Sequence, residues 1–118
     1  MRHLESKLQI SCISWFRLQY SQYLHWLYAV PNGGKRSITE AKIMKAEGVL
    51  AGVADLHFVL PNEKYHTLYI ELKTAKGKQT EAQEDFERHV KSVGHAYEIV
   101  RSLEEFMNVI NKYLKNEL

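Results

Sequence analysis

The sequence predicts an α/β fold, one sheet flanked by helices in the order αβαββαβα. Three observations predict it. Helix-start chemistry opens three segments; two β-patterned segments face each other across a proline-containing turn; and a short apolar run separates the last two helices. No repeat, linker or low-complexity stretch interrupts the 118 residues, so one domain, 1–118, with one core is expected.

Each element follows from local pattern. Leu4, Leu8, Cys12, Trp15, Phe16 and Leu18 recur mostly every three or four positions over residues 4–20, which predicts an amphipathic helix with Glu5 and Gln9 on its flank. Tyr23 to Val30 is aromatic and aliphatic and stops at Pro31-Asn32-Gly33-Gly34, which predicts a strand and a turn. Ser37-Ile38-Thr39-Glu40 has capping-box spacing, so a second helix starts there and ends at Gly48. The same chemistry at Thr80-Glu81-Ala82-Gln83 starts a third helix that Gly94 stops, and Ser102-Leu103-Glu104-Glu105 starts a fourth with Phe106, Ile110, Tyr113 and Leu114 inward. Gly52 to Leu60 and Leu68 to Thr74 predict a hairpin around Pro61–His66, and Tyr97 to Val100 a last strand.

Composition narrows the class without choosing a function. Hydrophobic residues make up 45% and charged residues 25%, as in ordinary globular domains, and a net charge of +2 is too mild to announce nucleic-acid binding. Any DNA contact must therefore come from local clustering. The single cysteine cannot form an internal disulfide, no apolar run is long enough to span a membrane, and the N-terminus lacks signal-peptide pattern, so a cytoplasmic, intracellular protein is expected. The six histidines, His3, His25, His57, His66, His89 and His95, show no zinc-binding spacing. Trp15, Phe16, Tyr20, Tyr23, Trp26 and Tyr28 follow the predicted elements and are read as core and interface.

The hairpin is where chemistry concentrates. Centred on Glu63, the midpoint of its loop, it would set Asp55 directly opposite Glu71. Ala54, Leu56, Phe58 and Leu60 would then share one face with Leu68, Ile70 and Leu72, leaving Asp55, Glu71 and Lys73 on the other, with His57 bordering them. Opposed residues have β-carbons about 4.5 to 5.5 Å apart, and like charges at that distance call for a neutralising partner. A hard divalent cation, Mg²⁺ or Mn²⁺, is that partner by ligand type. Lys73 would add positive charge near the attacking water or the scissile phosphate. Taken singly these could be half-exposed strand residues and an edge charge; together, as Asp followed by Glu-x-Lys on paired strands, they read as catalytic.

Taken in order, Pro31-Asn32-Gly33-Gly34-Lys35-Arg36, Glu47-Gly48, Gly52-Val53-Ala54-Asp55-Leu56, Glu71-Leu72-Lys73-Thr74, Gly77 and Gln83 resemble the PD-(D/E)XK nuclease superfamily and, within it, the VRR-NUC branch, the virus-type replication-repair nucleases. The resemblance spans nearly the whole chain. It implies a restriction-endonuclease-like core with a central mixed four-stranded sheet. It also implies Asp55, Glu71 and the backbone carbonyl of Leu72 as metal ligands for Mg²⁺ or Mn²⁺, Lys73 as catalytic lysine, Gln83 as a site residue, and Glu5 as an acidic contributor, with Glu40 and Glu47 competing for that last role. Asn32, Lys35, Arg36, Lys76 and Lys78 would hold DNA. Ala54 departs from the proline many members carry before the aspartate, which removes no ligand.

The activity so implied is structure-selective cleavage of branched or duplex DNA, Holliday-junction-resolvase-like, by a homodimer acting in the cytoplasm of a host cell, with weak sequence reading and a place for a helicase or replication partner. Two readings compete with it. One is a non-catalytic DNA-binding subunit that retains the fold; the other is an αβ module with no nucleic-acid role. Gln83 also has an ordinary task as the third residue of a capping box, and Lys35-Arg36 could be a solvated pair.

Overall fold

The computed structural model describes residues 2–31 and 36–118. Its elements are α1 (Arg2–Gln19), a 3-10 helix (Ser21–Trp26), β1 (Leu27–Ala29), α2 (Ile38–Ala46), β2 (Leu56–Phe58), β3 (Leu68–Leu72), α3 (Glu81–Ser92), β4 (Ala96–Val100) and α4 (Leu103–Leu114). The four strands form one mixed sheet in the order β1-β2-β3-β4. β1, β2 and β3 are antiparallel neighbours, while β4 runs parallel to β3, with α3 as the crossover that such a pair requires.

Local chemistry fixes the helix starts. Ser37 and Thr80 each accept the amide of the residue three on, Glu40 and Gln83, whose side chains return the bond to the cap amide. Ser102 caps α4 through the amide of Glu105. The hairpin register is the expected one, with Leu56 opposite Ile70, His57 opposite Tyr69 and Phe58 opposite Leu68. One residue of slip would exchange the faces.

One face of the sheet is the core. Leu56, Phe58, Leu68, Ile70 and Leu72 bury there against Cys12 and Phe16 of α1 and Phe106, Ile110 and Tyr113 of α4. Phe58 meets Phe16 and Tyr113 edge-on. α3 lies on the opposite face, where Phe86 contacts Tyr69 and Tyr97. The sheet thus presents alternate residues of β3, Tyr69 and Glu71, toward α3.

Four expectations need correction. The segment Tyr23 to Val30 is a strand only at Leu27–Ala29; before it the chain winds as a 3-10 helix. That segment is kinked at Tyr23, where Tyr20 stacks on Tyr23 and Tyr23 on Trp26, at centroid distances of 6.0 and 5.3 Å. Leu18 points outward at 86% exposure, because Cys12 and Phe16 already define the buried stripe of α1. Trp26 and Tyr28 are exposed rather than core. The strands of the hairpin are also shorter than their patterns, since Asp55 and Lys73 at their ends engage other groups. No helix among the described residues is long and apolar enough to cross a membrane.

Candidate active site

Asp55 stands where the chain enters β2, and a glycine sets its approach. At Gly52 φ is +89°, and a β-carbon there would lie 2.3 Å from the Ala82 carbonyl oxygen and 2.9 Å from the Gln83 amide nitrogen. Only glycine allows that contact, which ties the entry of β2 to the first turn of α3 and hence Asp55 to Gln83. Gly52→Ala is expected to cost about 1 to 3 kcal/mol in urea unfolding, because strain and backbone overlap act together. A variant as stable as the parent would mean that β2 and α3 are not coupled there.

One step past the last ladder pair, Asp55 reaches across to β3: its Oδ2 accepts the Leu72 amide at 2.8 Å, and its backbone carbonyl accepts from Val30. Glu71, two residues beyond Tyr69, is 2% exposed. Its Oε2 accepts the side-chain amide of Gln83 at 3.0 Å and lies 3.8 Å from the Lys73 ammonium. Its Oε1 is buried with no hydrogen-bond partner among the described residues. Burial, then the Asp55 carboxylate beside it, pushes the Glu71 carboxyl well above the ordinary range; Lys73 opposes the shift and the charge of Glu5 adds to it. A buried acid with one orphaned oxygen is costly to charge unless a cation meets it.

Lys73 is itself only 7% exposed, with its amide bonded to Val100. The turn after it is held by Arg101, whose Nη1 donates to the carbonyls of Thr74 at 2.8 Å and Gly77 at 2.6 Å. Sequence reasoning missed Arg101. Its signal was available only through topology: once β4 is taken as parallel to β3, Leu72 pairs with Val100 and the next residues meet.

Gln83 does both jobs its position allows, closing the capping box with Oε1 and holding Glu71 with Nε2. Glu5 is half-buried on α1 and reaches the site through its charge. Glu40 is occupied by its capping box, and Glu47 is the exposed C-cap of α2. Lys76 and Lys78 are exposed on the turn that follows Lys73; Arg36 is exposed at the start of α2, its Nη1 at 3.3 Å from the Met44 sulfur. Asn32 and Lys35 lie outside the described residues. His57 borders the site, stacked on Tyr69 at 4.1 Å and bonded to Tyr28 and Thr67.

The donor set fits a hard divalent cation. Two carboxylates meet from adjacent strands, one with an unsatisfied buried oxygen, and Mg²⁺ or Mn²⁺ commonly takes one or two carboxylates and leaves the rest of its shell to water and phosphate. Among the described residues no cluster of three or more His, Cys, Asp or Glu side chains could hold a metal.

No protein-family model matches the sequence, and no curated protein matches it. Among solved structures, one described as a "VRR_NUC domain protein" is similar to this chain with a TM-score of 0.83 and 24% identity, covering 94% of this chain and 88% of its own. The chain has the fold of a VRR-NUC domain protein.

Proposed function

We propose that the protein is a divalent-metal-dependent DNA endonuclease of the VRR-NUC family, acting on branched or duplex DNA. The observation that carries this reading is the buried, partly unsatisfied Glu71 beside Asp55 and Lys73. A buried carboxyl with a raised proton affinity, placed beside a second acid and a lysine, is costly to the fold and useful to phosphodiester chemistry.

Asp55, Glu71 and the Leu72 carbonyl would hold Mg²⁺ or Mn²⁺, which when bound supplies Lewis-acid charge and a more acidic water. The chain's own groups prepare the rest. The Leu72 amide fixes one oxygen of Asp55, and Gln83 fixes one of Glu71, whose other oxygen has no partner among the described residues. Lys73, screened from solvent, offers its ammonium to the charge that grows on the phosphate during in-line displacement of the 3′ oxygen. Lys76, Lys78 and Arg36, with Lys42 and Lys45 on α2, suit phosphate contacts that carry little sequence information.

A homodimer, as in Holliday-junction resolvases, belongs to the same proposal. In support, α2 buries none of its residues, and Ile38 and Ile43 remain exposed on it. Light scattering at micromolar concentration should return twice the chain mass; a monomer would remove the dimer from the proposal.

Labelled four-way junction, flap and linear duplex DNA, incubated with Mg²⁺ or Mn²⁺, test the activity. Cleavage to 5′-phosphate ends, strongest on branched DNA and dependent on metal, is the expected result. Salt-sensitive binding of all three without cleavage under either metal would replace the nuclease by a DNA-binding subunit.

A further inference from the structure

Each strand of the sheet contributes one residue to a row on the candidate-site face: Tyr28 pairs with His57, His57 with Tyr69, and Tyr69 with Tyr97. α3 covers the inner end of that row through Phe86. At the outer end, on the edge strand β1, Tyr28 is left 47% exposed while its neighbour Leu27 is buried in the core.

We propose that Tyr28 is a nucleobase platform, stacking an unpaired base of the strand whose phosphate lies at Asp55 and Glu71; this rests on the reading of the chain as a DNA-acting protein. Position is the first argument. Asp55 lies two residues before His57, at the entry to β2, and Tyr28 is one strand over, so their backbones stand roughly 8 Å apart from strand geometry. A nucleotide adjoining the bound phosphate spans that gap.

Preorganisation is the second. The Tyr28 hydroxyl shares a hydrogen bond with His57 Nδ1 at 2.7 Å, His57 Nε2 with the Thr67 hydroxyl at 2.9 Å, and the Thr67 hydroxyl with His95 Nδ1 at 2.6 Å. His57 is further clamped flat on Tyr69, their rings 5° from parallel. An exposed edge tyrosine is thus held by a chain of hydrogen bonds across three strands, so its ring is already ordered before anything binds.

Chemistry is the third argument. Stacking on an aromatic ring accepts every base, in keeping with the sequence-tolerant phosphate contacts proposed for Lys76 and Lys78. A base paired within duplex is already stacked on its neighbours, so the platform acts on unpaired nucleotides at a branch, flap or end. His57 is a positioning residue in this scheme.

Binding of fluorescent oligothymidine, a flap substrate and a blunt duplex by full-length wild type, Tyr28→Phe, Tyr28→Leu and Tyr28→Ala, with Ca²⁺ in place of Mg²⁺, tests it. Leu keeps bulk, so its effect reports the ring and not the fold. Leu and Ala variants should bind oligothymidine and flap about tenfold more weakly and duplex within about twofold of wild type, with Phe close to wild type on all three. Equal losses on duplex and flap, or no loss on either, would overturn the platform. A wild type that binds flap through Tyr28 but cuts nothing would retain it and remove the nuclease, so the two failures are distinguishable.

Discussion

Glu71→Gln is expected to stabilise the metal-free protein at pH 8 while reducing DNA cleavage about a hundredfold or more. Both effects have one cause. Burial and the adjacent Asp55 raise the Glu71 carboxyl from 4.5 in a solvated chain to about 8 in the fold. Between those values the folded state holds a proton that the unfolded chain has released, so the contribution of Glu71 to stability is fully present below about pH 4.5 and is lost as pH rises through about 8. Above that window a charged Glu71 must sit beside Asp55, compensated only by Lys73 at 3.8 Å, longer than a hydrogen bond. Glutamine carries no such burden, and its amide oxygen still accepts from Gln83. Urea unfolding at pH 5, 7 and 9 in EDTA checks this. The wild type should lose roughly a few kcal/mol across the range relative to the variant. Added Mg²⁺ should then restore the wild type and leave the variant unmoved, since only the wild type binds it in the folded state. A variant less stable than wild type at pH 9 would show that Lys73 already neutralises the site, leaving no role for a second cation.

Features encoded within a few residues were legible in the sequence. The three capping residues, Ser37, Thr80 and Ser102, each act on an amide three positions away, so spacing alone located the helix starts. The hairpin register followed from the midpoint of its loop and the alternation on both sides, and with it the division of faces that brings Asp55 to Leu72 and buries Leu56 and Ile70. Features that depend on contacts between distant segments were not. Tyr20, Tyr23 and Trp26 carry an i, i+3 period that fits a 3-10 turn, but their aromatic and aliphatic setting reads as a strand until their rings are seen to stack. Tyr28 has the composition of a core residue, and only the position of α3, over β3 and β4 and away from β1, leaves it open. Arg101 gains its purpose from a parallel pairing that its own neighbourhood does not announce. Gln83 was an undecided choice between cap and site because the two roles use opposite ends of one amide.

Lys73→Met is the sharper test of the catalytic assignment, with an expected loss of about a hundred- to a thousandfold in cleavage rate at pH 7 and little change in DNA affinity. Methionine replaces the buried stem without opening the cavity that alanine would leave, so a loss reports the ammonium and not the packing. Removing that cation also removes the one charge that holds the Glu71 proton affinity down. Mg²⁺ affinity measured by calorimetry should therefore shift to higher pH in the variant, an outcome that a lysine serving only the fold would not produce. Asp55→Asn supplies the contrast: asparagine keeps an oxygen for the Leu72 amide, so β2 and β3 stay joined while the charge is lost. It should match Lys73→Met in lost cleavage but weaken metal binding at every pH. Residues acting as one unit fail together, so the double variant should cleave scarcely less than either single one. Independent, multiplying losses would mean that the lysine and the aspartate serve different steps. Wild-type cleavage by the methionine variant would return Lys73 to the sheet as a buried cation with a structural task.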